Sequence, residues 1–350
     1  GAVGSDTGGR VDSGETYVVF GKGTDFNSSI DLSTLDGSTG FRLDGIDESD
    51  LSGRPVSGAG DVNGDGFDDI IIGAAFADPN GNNYAGESYV VFGKASGFAS
   101  SINLSILDGD TGFRLDGIDE RDFSGISVSG AGDVNGDGFD DIIIGASRAD
   151  PDGRNDAGES YVVFGKASGF SANISLSTLD GTNGFRLNGV TSEFSGYSVS
   201  GAGDINGDGF DDLIVGAKNS SPGGNSYAGT TYVVFGKASG FASSINLSTL
   251  GSSEGFQLAG INSNDESGYS VSGAGDVNGD GFDDILIGAV QPDRDSDIDA
   301  GESYVIFGGN FSGGVTLGTA SDDSLTGGTD DDQIVSGLGA DSINGAGGDA

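Results

Sequence analysis

The chain has no cysteine and no histidine. Without cysteine there is neither a disulfide framework nor a thiolate metal site. With histidine also missing, a Ser-His-Asp triad, a Cys-His nucleophile and a histidine-held zinc are excluded. Cationic side chains are scarce: 14 Lys and Arg stand against 55 Asp and Glu, a formal net charge of -41. Phosphate recognition needs clustered Lys and Arg, so nucleic acid and anionic lipid are poor partners and cations are good ones. No apolar run approaches the ~20 residues of a membrane-spanning helix. No signal-peptide pattern is visible.

Glycine is abundant, with 69 copies. It recurs at fixed places between β-rich runs, which fits tight turns and not a disordered chain. The stretch "DVNGDGFDD" occupies Asp61 to Asp69 and returns at Asp133, as "DINGDGFDD" at Asp204, and again at Asp276; the starts lie 72, 71 and 72 residues apart. Four short runs share this pitch. "FRLDG" begins at Phe41, with variants at Phe113, Phe185 and Phe256. "VSGAG" begins at Val56, Val128, Val199 and Val271. Apolar runs such as "IIIGA" begin at Ile70, Ile142, Leu213 and Ile285. "YVVFG" or "YVIFG" begins at Tyr17, Tyr89, Tyr161, Tyr232 and Tyr304.

Each run is short, mostly β-branched or aromatic, and closed by glycine, so each reads as a strand. The unalternating "III" run predicts burial on both faces, whereas "FRL" and "YVVF" predict outer, half-exposed strands. The link "FASSINLSILDG" from Phe98 to Gly109 has room for one helical turn. Four strands in a unit of about 72 residues predict an all-β fold, a β-propeller of four-stranded antiparallel blades stacked face to face.

"SGYSVSGAGDINGDGFDDLIVGA" (Ser195 to Ala217) followed by "AGTTYVVFG" (Ala228 to Gly236) resembles the FG-GAP repeat of integrin alpha-subunit β-propellers and their bacterial relatives. The resemblance runs in register over residues 1–309, the expected propeller domain. It departs at Ser52, Ser124, Ser195 and Ser267, where the motif has Phe, and at Ala75, Ser147, Lys218 and Val290, where it has Pro. The family often closes seven blades. Here four full units and part of a fifth are seen, and "GA" at residues 1–2 stands where an "IIIGA" run would end. A fragment lacking upstream blades is therefore expected.

Within the repeated loop, side-chain oxygens fall at the first, third, fifth and ninth places, and the Phe carbonyl is available at the seventh. The predicted ligand sets are Asp61, Asn63, Asp65, Phe67 and Asp69; Asp133, Asn135, Asp137, Phe139 and Asp141; Asp204, Asn206, Asp208, Phe210 and Asp212; and Asp276, Asn278, Asp280, Phe282 and Asp284. Hard oxygen ligands without nitrogen or sulfur select Ca²⁺, and Mg²⁺ prefers fewer protein ligands. A plain turn would bring carboxylates within ~5 Å, each pair repelling by ~3 kcal/mol at an effective dielectric near 20. The eighth-place Asp, such as Asp68, is expected to point away, solvated or capping a strand. The Phe rings are expected between blades.

From Gly318 the pattern becomes nine-residue: Asp323, Asp332 and Asp341 share one place, and Leu325, Ile334 and Ile343 another. This resembles the nonapeptide repeats of RTX proteins. The resemblance implies that residues 310–350 begin a parallel β-roll with Ca²⁺ at those aspartates, in a bacterial protein exported by a type I system.

Repetition of nearly every acidic residue argues for architecture, not catalysis. "GISVSG" at Gly125 and "GYSVSG" at Gly196 lack the second glycine of a nucleophile elbow. The expectation is a secreted or cell-surface, non-enzymatic, calcium-stabilised propeller. It would bind a protein ligand through the variable links Ala75–Ser88, Ser147–Ser160, Lys218–Thr230 and Val290–Ser303. A carbohydrate-binding propeller with one shallow site per blade, or the scaffold of a larger secreted hydrolase, are the alternatives.

Overall fold

The computed structural model describes residues 1–6, 8–23, 28–292 and 300–311, together with the backbone of four short strands further on. Strands and short 3-10 turns make up its regular structure, and no α-helix occurs among the described residues. No helix there is long and apolar enough to cross a membrane.

The strands form successive antiparallel blades. The second blade runs Val56–Gly60, Asp69–Ala74, Glu87–Val91, Gly112–Asp116, hydrogen-bonded in that order. The third runs Ser127–Gly132, Asp141–Ala146, Glu159–Val163, Gly184–Asn188. The fourth runs Ser198–Gly203, Asp212–Ala217, Thr230–Val234, Gly255–Ala259. The fifth comprises Ser270–Gly275, Asp284–Ala289 and Glu302–Ile306. In the first blade, Glu15–Val19 pairs with Gly40–Asp44, and Ala2 bridges Glu15 just as Ala74 pairs with Glu87. Repeated four-stranded units of this kind are consistent with a β-propeller.

The blade is out of phase with the sequence unit. "FRL" is the outermost strand of the preceding blade. A further strand was not foreseen. Ser101–Asn103, Asn173–Ser175 and Ser244–Asn246, each in the link before a blade's last strand, reach back to pair in parallel with the outer strand of the blade before. A 3-10 turn follows each one, and at Leu104–Ile106 the Asn103 side chain caps it by accepting from the Ser105 amide. Phe170 in one link stacks on Phe113 of the preceding blade, 4.6 Å between ring centres. Each blade is thereby stitched to its predecessor.

That stitching, with a neighbour on each face, corrects one expectation. The "YVV" strands are fully buried in the second, third and fourth blades, not half-exposed. The "III" runs are buried as predicted. Their alternate side chains enter different clusters: Ile142 and Ile144 meet the second blade, whereas Ile143 meets the fourth. In the fifth blade, which no further blade covers among the described residues, Leu286 is 40% exposed, against 0% for the equivalent Ile143.

Inner strands approach so closely that side chains are excluded. A Cβ on Gly130 would lie 3.0 Å from the Gly58 carbonyl oxygen. This is why "VSGAG" carries glycine at its centre.

Beyond the blades, Val315–Leu317 pairs in parallel with Gln333–Val335, and Ser324–Thr326 with Ser342–Asn344.

Candidate metal-binding loops

Each acidic loop joins the innermost strand of a blade to the second, and a bulge at Gly60 turns the chain into it. In the second blade Asp61 accepts the amides of Asp65 at 3.0 Å and Gly66 at 2.8 Å, one on each carboxylate oxygen. Asn63 Oδ1 accepts the Asp65 amide at 2.8 Å, and Asp65 Oδ1 accepts the Phe67 amide at 3.0 Å. Gly66, at φ 88°, permits the bend. The pattern repeats with Asp133, Asn135 and Asp137, with Asp204, Asn206 and Asp208, and with Asp276, Asn278 and Asp280. Three of the four predicted side chains in each loop thus curl over the loop's own amides.

The ninth-place carboxylate has a different position. Asp69 is buried and accepts the Val62 amide at 3.0 Å and the Gly93 amide at 2.8 Å. Asp141, Asp212 and Asp284 do the same with Val134 and Gly165, Ile205 and Gly236, and Val277 and Gly308. Each ties its loop to the end of the third strand. Burial, with the charges of neighbouring loop carboxylates, pushes the Asp69 carboxyl up to about 7. Burial likewise lifts Asp141 and Asp212 to about 8. Among the described residues no three acidic side chains converge on one point. The donor set is oxygen-only, as a hard cation requires, and both oxygens of the ninth-place carboxylate accept backbone amides, just as both oxygens of the first-place Asp61 do.

Of the eighth-place residues Asp68 is exposed, as expected, whereas the other three are neither solvated nor capping their own strands. Asp140 accepts the Asp61 amide at 2.7 Å, Asp211 the Asp133 amide at 2.7 Å, and Asp283 the Asp204 amide at 3.0 Å. Each loop therefore clasps the loop before it. A Cβ on Gly60 would lie 2.2 Å from the Asp140 carboxylate, so the clasp needs glycine there. The Phe139, Phe210 and Phe282 rings lie against Gly64, Gly136 and Gly207 of the preceding loop. Phe67, with no such loop before it among the described residues, is 41% exposed. The aspartates at 323, 332 and 341 lie outside the described residues.

The opposite end of the blade holds a cluster that sequence reasoning missed. Tyr89, fully buried, donates to Glu87, and Arg114 bridges Glu87 at 3.3 Å and Asp116 at 2.6 Å. Glu15, Tyr17, Arg42 and Asp44 repeat it in the first blade. Burial pushes Glu87 up to about 7. The signal lay in "ESYVV" and "GFRLD": alternate residues share a face, and the register pairs Tyr89 with Arg114 and Glu87 with Asp116.

These loops and blades define a class, the repeat protein built from antiparallel blades with one acidic loop apiece. Within it, the FG-GAP repeat matches residues 55–91, 124–163, 195–234 and 267–306, so the chain carries FG-GAP repeats. It is 30% identical over 294 residues to integrin alpha pat-2 of Caenorhabditis elegans, covering 80% of this chain and 21% of that protein. It is 29% identical over 239 residues to integrin alpha-PS2 of Drosophila melanogaster, covering 67% and 15%. It is 28% identical over 258 residues to integrin alpha-V of Gallus gallus, covering 69% and 22%. These findings support an integrin-alpha-like FG-GAP propeller. The chain spans about a fifth of the length of these relatives.

Proposed function

We propose that residues 1–309 form an extracellular, non-catalytic propeller. Calcium held by its acidic loops stabilises it, and its variable links bind a protein ligand at the cell surface or in the matrix. The observation that carries the calcium reading is the fourfold repetition of first-, third- and fifth-place oxygens folded over their own loop amides. The adhesive role rests on the likeness to integrin alpha chains. Asp61, Asn63, Asp65 and Asp69, with their equivalents and the Phe67-type carbonyls, would hold the ion; it would neutralise carboxylates that otherwise repel. Residues 310–350 begin a parallel β-roll with Ca²⁺ at Asp323, Asp332 and Asp341. The nine-residue step between its short strands supports this reading; export of a bacterial protein by a type I route is proposed on the resemblance to RTX repeats alone.

Modules of this kind hold Ca²⁺ with constants of about 10⁻⁴ to 10⁻³ M. At ~1 mM calcium each site adds ~0.4–1.4 kcal/mol, and four add roughly 2–6 kcal/mol. Calorimetry with and without chelator tests this. The expected fall in melting midpoint is about 5–15 °C. An unchanged midpoint, with no calcium uptake by titration calorimetry, would overturn the reading.

A further inference from the structure

One surface feature recurs that the acidic loops do not account for. After its third strand each of the second, third and fourth blades runs through "FGKASGF", and the chain then doubles back as the returning strand and 3-10 turn. The space between is a cleft of about 460 Å³ in the third blade and about 320 Å³ in the second, with a counterpart of about 480 Å³ in the first. Pockets for small organic ligands span roughly 300–1,000 Å³.

The walls match residue for residue. Val163, Phe164, Ile174 and Leu179 form an apolar side in the third blade, and Val91, Phe92, Ile102 and Leu107 form it in the second. The rim of each carries one lysine and a loop aspartate, Lys166 with Asp137 and Lys94 with Asp65, and the second-blade rim adds Asp110. Both ammonium groups are held over a ring, Lys166 Nζ 4.8 Å from the Phe170 centre and Lys94 Nζ 4.8 Å from that of Phe98. The rest of the third-blade rim is hydroxyl and amide, as at Ser171 and Asn173. At the second-blade cleft Ile106 is 64% exposed, an unusual position for so apolar a side chain.

This combination selects its occupant. A wholly apolar ligand would desolvate the rim charges without replacing their hydrogen bonds. An anion would have to approach a chain of net charge -41. A pyranose presents an apolar C–H face and an edge of hydroxyls that both donate and accept, which matches wall and rim together. We infer that the clefts of the first three blades are repeated subsites for neutral sugar residues. The ring lies on the Val-Phe-Ile-Leu wall, and its hydroxyls donate to the aspartate and accept from the lysine. Each site alone is weak, and a branched or repeating glycan gains by engaging several at once.

The test uses the full chain in millimolar calcium against neutral monosaccharides, among them glucose, galactose, mannose, fucose and N-acetylglucosamine, each on a multivalent polyacrylamide carrier. Saturation-transfer NMR on the free sugars identifies the face in contact. Ala99→Trp and Ser171→Trp fill the second and third clefts from exposed positions. At least one sugar carrier should bind saturably. Each substitution should weaken it several-fold and the pair at least tenfold, with the melting midpoint unchanged. Should either tryptophan disturb folding, Lys94→Met with Lys166→Met removes the donors without adding bulk, and a several-fold loss is again expected. Saturable binding by no carrier, or binding undiminished in folded double variants, overturns the inference. A calcium-dependent midpoint that survives such a failure leaves the reading of the loops intact.

Discussion

The third and fourth blades solve one problem in two ways. Both bury a tyrosine on the third strand, Tyr161 and Tyr232, and a buried phenol must find an acceptor. In the third blade Glu159, two residues earlier on the same strand, accepts at 2.7 Å, and Arg186 on the outer strand lies opposite Tyr161. In the fourth blade those positions are Thr230 and Gln257, and the acceptor is Glu193 at 2.9 Å, from the segment between the two blades. Glu193 also accepts from Ser220 at 2.9 Å. It occupies the position of Asp122 in the preceding unit, and its extra methylene supplies reach. The hydroxyl's need is constant, and the element that meets it is not.

Removing the acids separates the two solutions most strongly. Glu159→Ala leaves Tyr161 without its acceptor and Arg186 without a nearby anion, an expected loss of about 3 kcal/mol. Glu193→Ala deprives two hydroxyls but strands no cation, so about 1–2 kcal/mol is expected. The triple change Glu193→Ala, Thr230→Glu and Gln257→Arg rebuilds the third-blade arrangement in the fourth. It should return to within about 1 kcal/mol of the parent in urea denaturation. Equal losses for the two alanine variants, or no recovery in the triple, would show that the acids are not interchangeable.

The pH dependence of stability gives a smaller effect. Burial pushes Asp122 from 3.8 up to about 7, and also raises Glu159, so the third blade holds two acids whose protonated forms the fold favours. Such a group contributes stability that is complete below its unfolded value and is lost as pH rises through its folded value. Without calcium, stability should therefore fall between about pH 4 and pH 7. Burial raises Glu193 too, but it acts without a second acid at Thr230. Glu159→Gln and Glu193→Gln should each flatten the profile, and the third blade should keep a slope from Asp122; an unaltered profile for either variant, in denaturation midpoints taken across that range, would contradict the comparison.

What could be read in advance follows from the range of each interaction. The acidic loops and the strands were legible because ligand type, spacing and β-alternation are local patterns. The phase of the blade was not, because "FRL" follows a long link and nothing within five residues says which neighbour it joins. The returning strands were hidden for a related reason: three residues such as "SIN" are too few to show a period. Glu193 and Asp140 were misjudged or missed because their partners lie 39 and 79 residues away. The burial of "YVV" depends on blades to either side, which the alternation of a single strand does not encode.

The smallest expected effect concerns a feature that the two blades share. The third blade clasps the second through Asp140 on the Asp61 amide, and the fourth clasps the third through Asp211 on the Asp133 amide, both at 2.7 Å. If the divergence of the fourth blade is confined to its variable end, Asp140→Ala and Asp211→Ala should cost the same, about 1 kcal/mol for one amide left without its carboxylate. Asp68→Ala, at the exposed equivalent in the second blade, should stay within about 0.5 kcal/mol of the parent. A loss for Asp211→Ala well above that for Asp140→Ala would mean that the fourth blade leans on its loop end to offset what it lacks at the other. The divergence would then belong to the blade as a unit and not to one cluster within it.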